Sequence, residues 1–153
     1  MAALPAQGRL PAADTQAEGF GRTRRDHRQE IAEDYVELIA DLIDAAGEAR
    51  VVDLASRLGV TPATVNNTVS KLQRDGLVRS EPYRAIFLTD SGRALAEHCR
   101  RRHRIVYRFL RLLGVSDEVA RVDAEGIEHH VSDATLAALY RFVRARAAGG
   151  TQA

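Results

Sequence analysis

The sequence predicts a mainly α-helical protein with one small β-hairpin, and three observations predict it. Apolar residues recur at helical spacing along most of the chain, as in Ile31, Tyr35, Leu38, Ile39, Leu42 and Ile43. Helix boundaries are marked by cap residues such as Thr61 before Pro62 and Ser116 before Asp117, and by Gly47, Gly59 and Gly114 past helix ends. The exception lies around Leu77–Glu81 and Ile86–Leu88, two short extended runs joined by a Pro82-Tyr83-Arg84-Ala85 turn.

At 153 residues, 45% of them hydrophobic, the chain can form one domain or two small ones with a real core. A formal net charge of +1 conceals sorting by segment. Residues 91–111 are arginine-rich with Glu97 as their only acidic residue, whereas residues 116–133 carry Asp117, Glu118, Asp123, Glu125, Glu128 and Asp133 against Arg121. The single cysteine, Cys99, excludes an internal disulfide and a thiolate metal cage, and fits a reducing cytoplasm. No apolar run approaches a membrane span, and Met1–Ala13 lacks the apolar core of a signal peptide. A cytoplasmic protein with no membrane partner is the expectation.

Residues 1 to about 20 show no periodicity, so a disordered tail over 1–22 is expected. Helix one should run from about Arg24 to Ala46, with Asp34, Glu37, Asp41 and Asp44 opposite its apolar stripe. Taken alone, that acidic stripe reads as solvated. Arg50-Val51-Val52 reads as extended, with Asp53 capping a second helix, Leu54–Leu58. Thr61 and Pro62 open a third, with Val65, Val69 and Leu72 inward. Its outward face is Ala63, Thr64, Asn66, Asn67, Ser70 and Lys71. Two short helices, the second small and polar outside, followed by a hairpin, make a winged helix-turn-helix over residues 23–90. DNA contact is then expected from Thr61, Pro62, Ala63, Thr64, Asn66, Asn67, Ser70 and Lys71, with Arg84 at the wing tip.

Thr89 and Ser91 can cap a long arginine-rich helix to about Leu113, with His103 among Arg100, Arg101, Arg102 and Arg104. A lone histidine there reads as a surface or core residue. The next helix, opened by Ser116-Asp117-Glu118, carries Glu125, Glu128 and His129 at i, i+3 and i+4, one helix face that can hold a divalent cation. Three donors on one turn rarely complete a shell, so further ligands should come from elsewhere. After Ser132 a last amphipathic helix carries Leu136, Leu139, Tyr140 and Val143. Residues 91–147 thus form an all-helical domain, and 148–153 a frayed tail.

With these segments in place, the chain resembles the manganese-responsive MntR branch of the diphtheria toxin repressor family. The residues that carry the resemblance are Glu33-Asp34-Tyr35-Val36-Glu37, Thr61-Pro62, Tyr83-Arg84, Leu88-Thr89, Arg102-His103 and Glu125-Gly126-Ile127-Glu128-His129-His130. It covers roughly residues 30–145. The resemblance implies that the helical domain binds metal and dimerises, and that the ligands are Asp34, Glu37, His103, Glu125, Glu128 and His129. It also implies two ions per subunit, with Asp34 and His103 on one, His129 on the other, and Glu37, Glu125 and Glu128 shared. Two departures are Arg104, where some relatives have an acidic residue, and the N-terminal extension. The iron-responsive branch carries an extra barrel domain, against which the length argues, and a cysteine where this chain has Glu125. Carboxylates and imidazoles suit Mn²⁺ and Fe²⁺, while a thiolate favours softer ions.

The expected function is a manganese-dependent DNA-binding regulator, most simply a repressor of metal-uptake genes, with Mn²⁺ as corepressor. Its partners would be double-stranded operator DNA and a second copy of the chain, with no small organic substrate and no enzymatic activity. Rival readings are an iron-responsive repressor of the same family, with Fe²⁺ as effector, a dinuclear metallohydrolase, since such clusters also activate water, and a winged-helix sensor of an organic ligand.

Overall fold

The structure, a computed structural model, describes residues 12–81 and 84–149. Helix α1 runs Ala13–Ala46 and closes on Gly47, whose φ of 81° turns its N–H back to the Ile43 carbonyl. It begins well before Arg24, so residues 13–22 are helical where a disordered tail was expected; residues 1–11 lie outside the described residues. The Ala, Gln and Glu residues of this stretch favour helix, and they show no apolar periodicity because residues 12–20 are all exposed.

Helix α2 spans Val51–Leu58 rather than Leu54–Leu58. Its N-cap is Arg50, and Asp53 lies in the first turn, where its charge faces the positive helix end. Val51 and Val52 read as extended because they are β-branched, but the extended residue is Ala49, which bridges Ile86. Helix α3, Pro62–Arg74, starts as expected: the Thr61 hydroxyl accepts from the Thr64 N–H at 3.2 Å. Strands β1, Val78–Ser80, and β2, Ile86–Leu88, pair antiparallel with Val78 opposite Leu88 and Ser80 opposite Ile86. Pro82 and Tyr83 of the intervening turn lie outside the described residues. Val36, Ile39, Leu54, Val65, Leu72 and Ile86 form one apolar core beneath these elements.

Helix α4, Asp90–Leu112, is joined to the hairpin by hydrogen bonds at its first turn. Thr89 Oγ1 accepts from the Gly92 N–H at 3.1 Å and donates to the Gly76 carbonyl at 2.6 Å. Gly92 permits this approach, since a Cβ there would lie 1.9 Å from the Leu77 carbonyl oxygen. Farther along, Arg100 donates to Asp41 and Asp44 of α1, so the acidic stripe is partly paired rather than simply solvated. Helices α5, Asp117–Glu128, and α6, Asp133–Gly149, both pack on α4, burying Val106, Ala120, Ala124 and Val143. Residue 148, expected in a frayed tail, is helical, and residues 150–153 lie outside the described residues.

Candidate metal centre

Helix α4 packs against both α1 and α5, and the polar side chains of these three helices meet. From α4, His103 presents Nδ1 to Glu128 at 3.0 Å and to Glu125 at 3.5 Å. One donor atom from each of these residues lies within 4.8 Å of the other two. The Tyr107 ring lies parallel to the His103 imidazole, 6.5 Å away between centroids. Glu128 is 1% exposed, and both its carboxylate oxygens are enclosed without accepting a hydrogen bond. Burial raises its pKa to about 8, with Glu37 adding to the effect. Glu37 itself is pushed to about 7 by burial and by the neighbouring Glu125 and Asp41.

His129 follows the last turn of α5 as its C-cap, with a side chain only 4% exposed. Its Nε2 lies 3.2 Å from Asp34 Oδ1 and 3.7 Å from Glu128 Oε1, while Nδ1 lies 2.7 Å from Glu33 Oε2. Hydrogen bonds to Asp34 and Glu33 raise its pKa to about 10. Glu33 is pushed up by burial, but hydrogen bonds from His129 and Gln29 outweigh that and leave it below the usual carboxylate range.

The six expected ligands therefore converge in two overlapping groups. His103, Glu125 and Glu128 form one; His129 with Asp34 forms the other, and Glu128 lies between. Glu37 shares a groove with Asp34, Glu125 and His129. Asp34 stands 3.2 Å from His129 Nε2, whereas the two-ion division grouped it with His103. Two residues within the quoted motifs were given no role from the sequence. Glu33 is four positions before Glu37 on the same helix face, a signal that could have found it. Arg102 gives no such signal within its basic run. It is 8% exposed, and its guanidinium donates to the Glu128 carbonyl at 2.6 and 3.1 Å, the Val131 carbonyl at 2.5 Å and the Asp133 carboxylate at 3.1 Å. Arg102 thus ties down the backbone that carries Glu128 and His129.

These residues fit a divalent cation. Glu128 brings two unpartnered oxygens, and the surrounding donors are carboxylates and imidazoles, which suit Mn²⁺ or Fe²⁺. Cys99 offers no thiolate, since burial pushes its thiol up to about 12. A cation would compete with the protons that Glu37, Glu128 and His129 hold near neutrality.

All the residues expected to touch DNA are exposed: Thr61 at the cap of α3, Pro62, Ala63, Thr64, Asn66, Asn67, Ser70 and Lys71 on that helix, and Arg84 beside the hairpin. Some are engaged locally. Ser70 donates to the Asn66 carbonyl at 2.8 Å, and Arg84 pairs with Glu81 at 3.1 Å.

Comparison with known proteins finds two family models along the chain. Residues 29–86 match the iron dependent repressor N-terminal DNA binding domain, and residues 89–147 match the iron dependent repressor metal binding and dimerisation domain. A transcriptional regulator MntR of Escherichia coli O6:H1 is 51% identical over 131 residues, covering 86% of this chain and 84% of that one. A transcriptional regulator MntR of Salmonella typhimurium is 50% identical over 131 residues, covering 86% and 83%. A solved manganese-dependent transcriptional repressor, in complex with manganese, superposes with a TM-score of 0.67 at 34% identity over 73% of this chain. The chain spans about half of that solved protein, 52% of its length. These relatives are regulators of transcription rather than enzymes, which removes the metallohydrolase reading. With a DNA-binding half, a dimerising half and a carboxylate–imidazole cluster where the halves meet, the chain belongs to the iron dependent (diphtheria toxin) repressor family, as an MntR-type regulator.

Proposed function

We propose that the protein is a cytoplasmic, manganese-dependent repressor that binds operator DNA as a homodimer and acts most simply on genes for metal uptake. The observation that carries this reading is the buried carboxylate of Glu128, with two unpartnered oxygens beside His103 and Glu125. Asp34, Glu37, His103, Glu125, Glu128 and His129 would hold the metal, two ions per subunit. Bound manganese supplies positive charge that carboxylates of both domains share. Affinity for such donors rises from Mn²⁺ towards Cu²⁺, so selectivity rests on coordination geometry and on the ions the cell makes available.

Asp34 and Glu37 belong to α1, whose other face is built into the winged-helix core, whereas Glu125, Glu128 and His129 belong to the end of α5. Mutual repulsion of these carboxylates opposes their approach, and relieving it favours one orientation of the two domains. Coupling of about 1–3 kcal/mol would change DNA affinity roughly 5–150-fold. Helix α3 would enter the major groove, with Lys71 and Arg84 on phosphates. Exposed Leu112, Leu113, Val119 and Val122 would offer apolar side chains to the second copy.

The test is an operator titration with chelator, Mn²⁺, anaerobic Fe²⁺ and Zn²⁺, on the parent and on Asp34→Asn. Mn²⁺ should tighten the parent's binding within that range and Asp34→Asn's far less, with fold and dimer intact. Equal Mn²⁺ enhancement in both proteins would refute the proposed coupling. Glu125→Cys should shift preference towards Zn²⁺ or Co²⁺; an unchanged preference would remove Glu125 from the ligand set.

A further inference from the structure

We infer that Glu33 selects the metal-binding nitrogen of His129: it holds a proton on Nδ1 and leaves Nε2 as the ligand atom. The inference rests on the manganese reading above and deepens it to a single atom. Two adjacent α1 carboxylates flank the His129 ring, and they differ in kind. Glu33 has a side chain 7% exposed, with Oε2 2.7 Å from Nδ1 and Oε1 accepting from Gln29 Nε2 at 2.8 Å. Both its oxygens are engaged. Asp34 has a side chain 46% exposed and stands 3.2 Å from Nε2 on the other edge of the ring. Glu128 Oε1 also lies on that edge, 3.7 Å from Nε2. Nε2 therefore faces two proposed ligands, while Nδ1 faces a carboxylate anchored elsewhere.

A neutral imidazole that binds a cation keeps one N–H, and the acceptor of that N–H sets the tautomer and the ring angle. Glu33 is placed to be that acceptor, with Gln29 bracing it from one helical turn earlier. It is a positioning residue rather than a ligand. His103 is arranged the other way round, with Nδ1 towards Glu125 and Glu128 and its ring parallel to Tyr107. The two histidines should therefore ligate through opposite nitrogens, which provides an internal control.

The experiment is a long-range ¹H–¹⁵N correlation of the imidazole nitrogens in the full chain, without metal and with saturating Cd²⁺ as a diamagnetic probe. On loading, Nε2 of His129 should shift while Nδ1 keeps its proton, and His103 should respond at Nδ1. In Glu33→Ala this preference should disappear and Cd²⁺ affinity fall about 10–100-fold. Glu33→Gln, whose amide oxygen can accept the same N–H, should keep the tautomer with a smaller loss. Ligation of parent His129 through Nδ1, or an unchanged tautomer and affinity in Glu33→Ala, overturns the inference and leaves the manganese reading standing. A Cd²⁺ response at neither histidine overturns both. If Glu33→Ala does not fold, the parent and Glu33→Gln spectra decide.

Discussion

On one face α1 buries Val36 and Ile39 among Leu54, Val65, Leu72 and Ile86; on the other it presents Glu33, Asp34 and Glu37 to His129, Glu125 and Glu128. The first face is complete in itself, because apolar side chains satisfy one another by packing. The second gathers carboxylates and leaves both Glu128 oxygens without a hydrogen bond, with only the imidazoles of His103 and His129 beside them. One helix thus carries a self-sufficient scaffold and a joint that is short of positive charge. Stability is concentrated on the first face and responsiveness on the second.

The comparison can be broken most directly in the scaffold. Ile39 is fully buried, so Ile39→Ala should cost about 2–5 kcal/mol in urea unfolding of the metal-free protein. A cost below about 1 kcal/mol would show a core far looser than the packing implies. The joint should answer with the opposite sign. Glu128→Gln removes a buried, unpartnered carboxylate and should raise metal-free stability by about 1–3 kcal/mol while abolishing stabilisation by Mn²⁺. Destabilisation by Glu128→Gln would mean that the carboxylate is better satisfied than described.

A pH series sharpens the same contrast. Glu37 and Glu128 are raised above their ordinary value of 4.5, to about 7 and about 8, so between these limits the folded state binds more protons than the unfolded one. Stability should fall across that window as pH rises. His129, raised from 6.5 to about 10, adds stability that is complete below pH 6.5 and lost towards pH 10. All three act in one direction, and each kcal/mol lost should lower Tm by about 2–4 °C. Thermal unfolding with chelator from pH 5 to 9 should show this decline, and saturating Mn²⁺ should reverse it below neutrality by competing with the protons. A flat metal-free profile would contradict the assigned burial of Glu128. The smallest effect belongs to the DNA face. Lys71→Ala should leave stability within about 0.5 kcal/mol and lower the salt slope of operator binding by about one unit. An unchanged slope would remove Lys71 from the phosphate contacts.

What the sequence disclosed was whatever local chemistry decides. Thr61 with Pro62, Thr89 and Ser116 announced three helix starts, because a cap acts on N–H groups only three residues away. Val51 and Val52 misled, since β-branched residues favour strands and only packing shows that α2 takes them. The start of α1 was missed because an exposed helix needs no apolar stripe to be read. In the candidate metal centre, the motif on α5 pointed to three of the expected ligands and the family resemblance joined them to α1 and α4. Glu33 and Arg102 stayed hidden because their roles depend on partners 96 and 26 residues away.

The glycine at position 92 has a mechanical consequence. By letting α4 press against the Leu77 carbonyl, and with Thr89 bonded to Gly76, it ties the start of α4 closely to the connection between α3 and β1. From Thr89 to His103 a continuous helix spans about 21 Å. Over that length a tilt of about 5° at the histidine becomes a displacement of about 2 Å at the far end of the helix. Helix α4 thus connects the candidate metal centre, through His103, to the turn that leads from α3 into the hairpin. A side chain at position 92 would push α4 off the Leu77 carbonyl and loosen that connection.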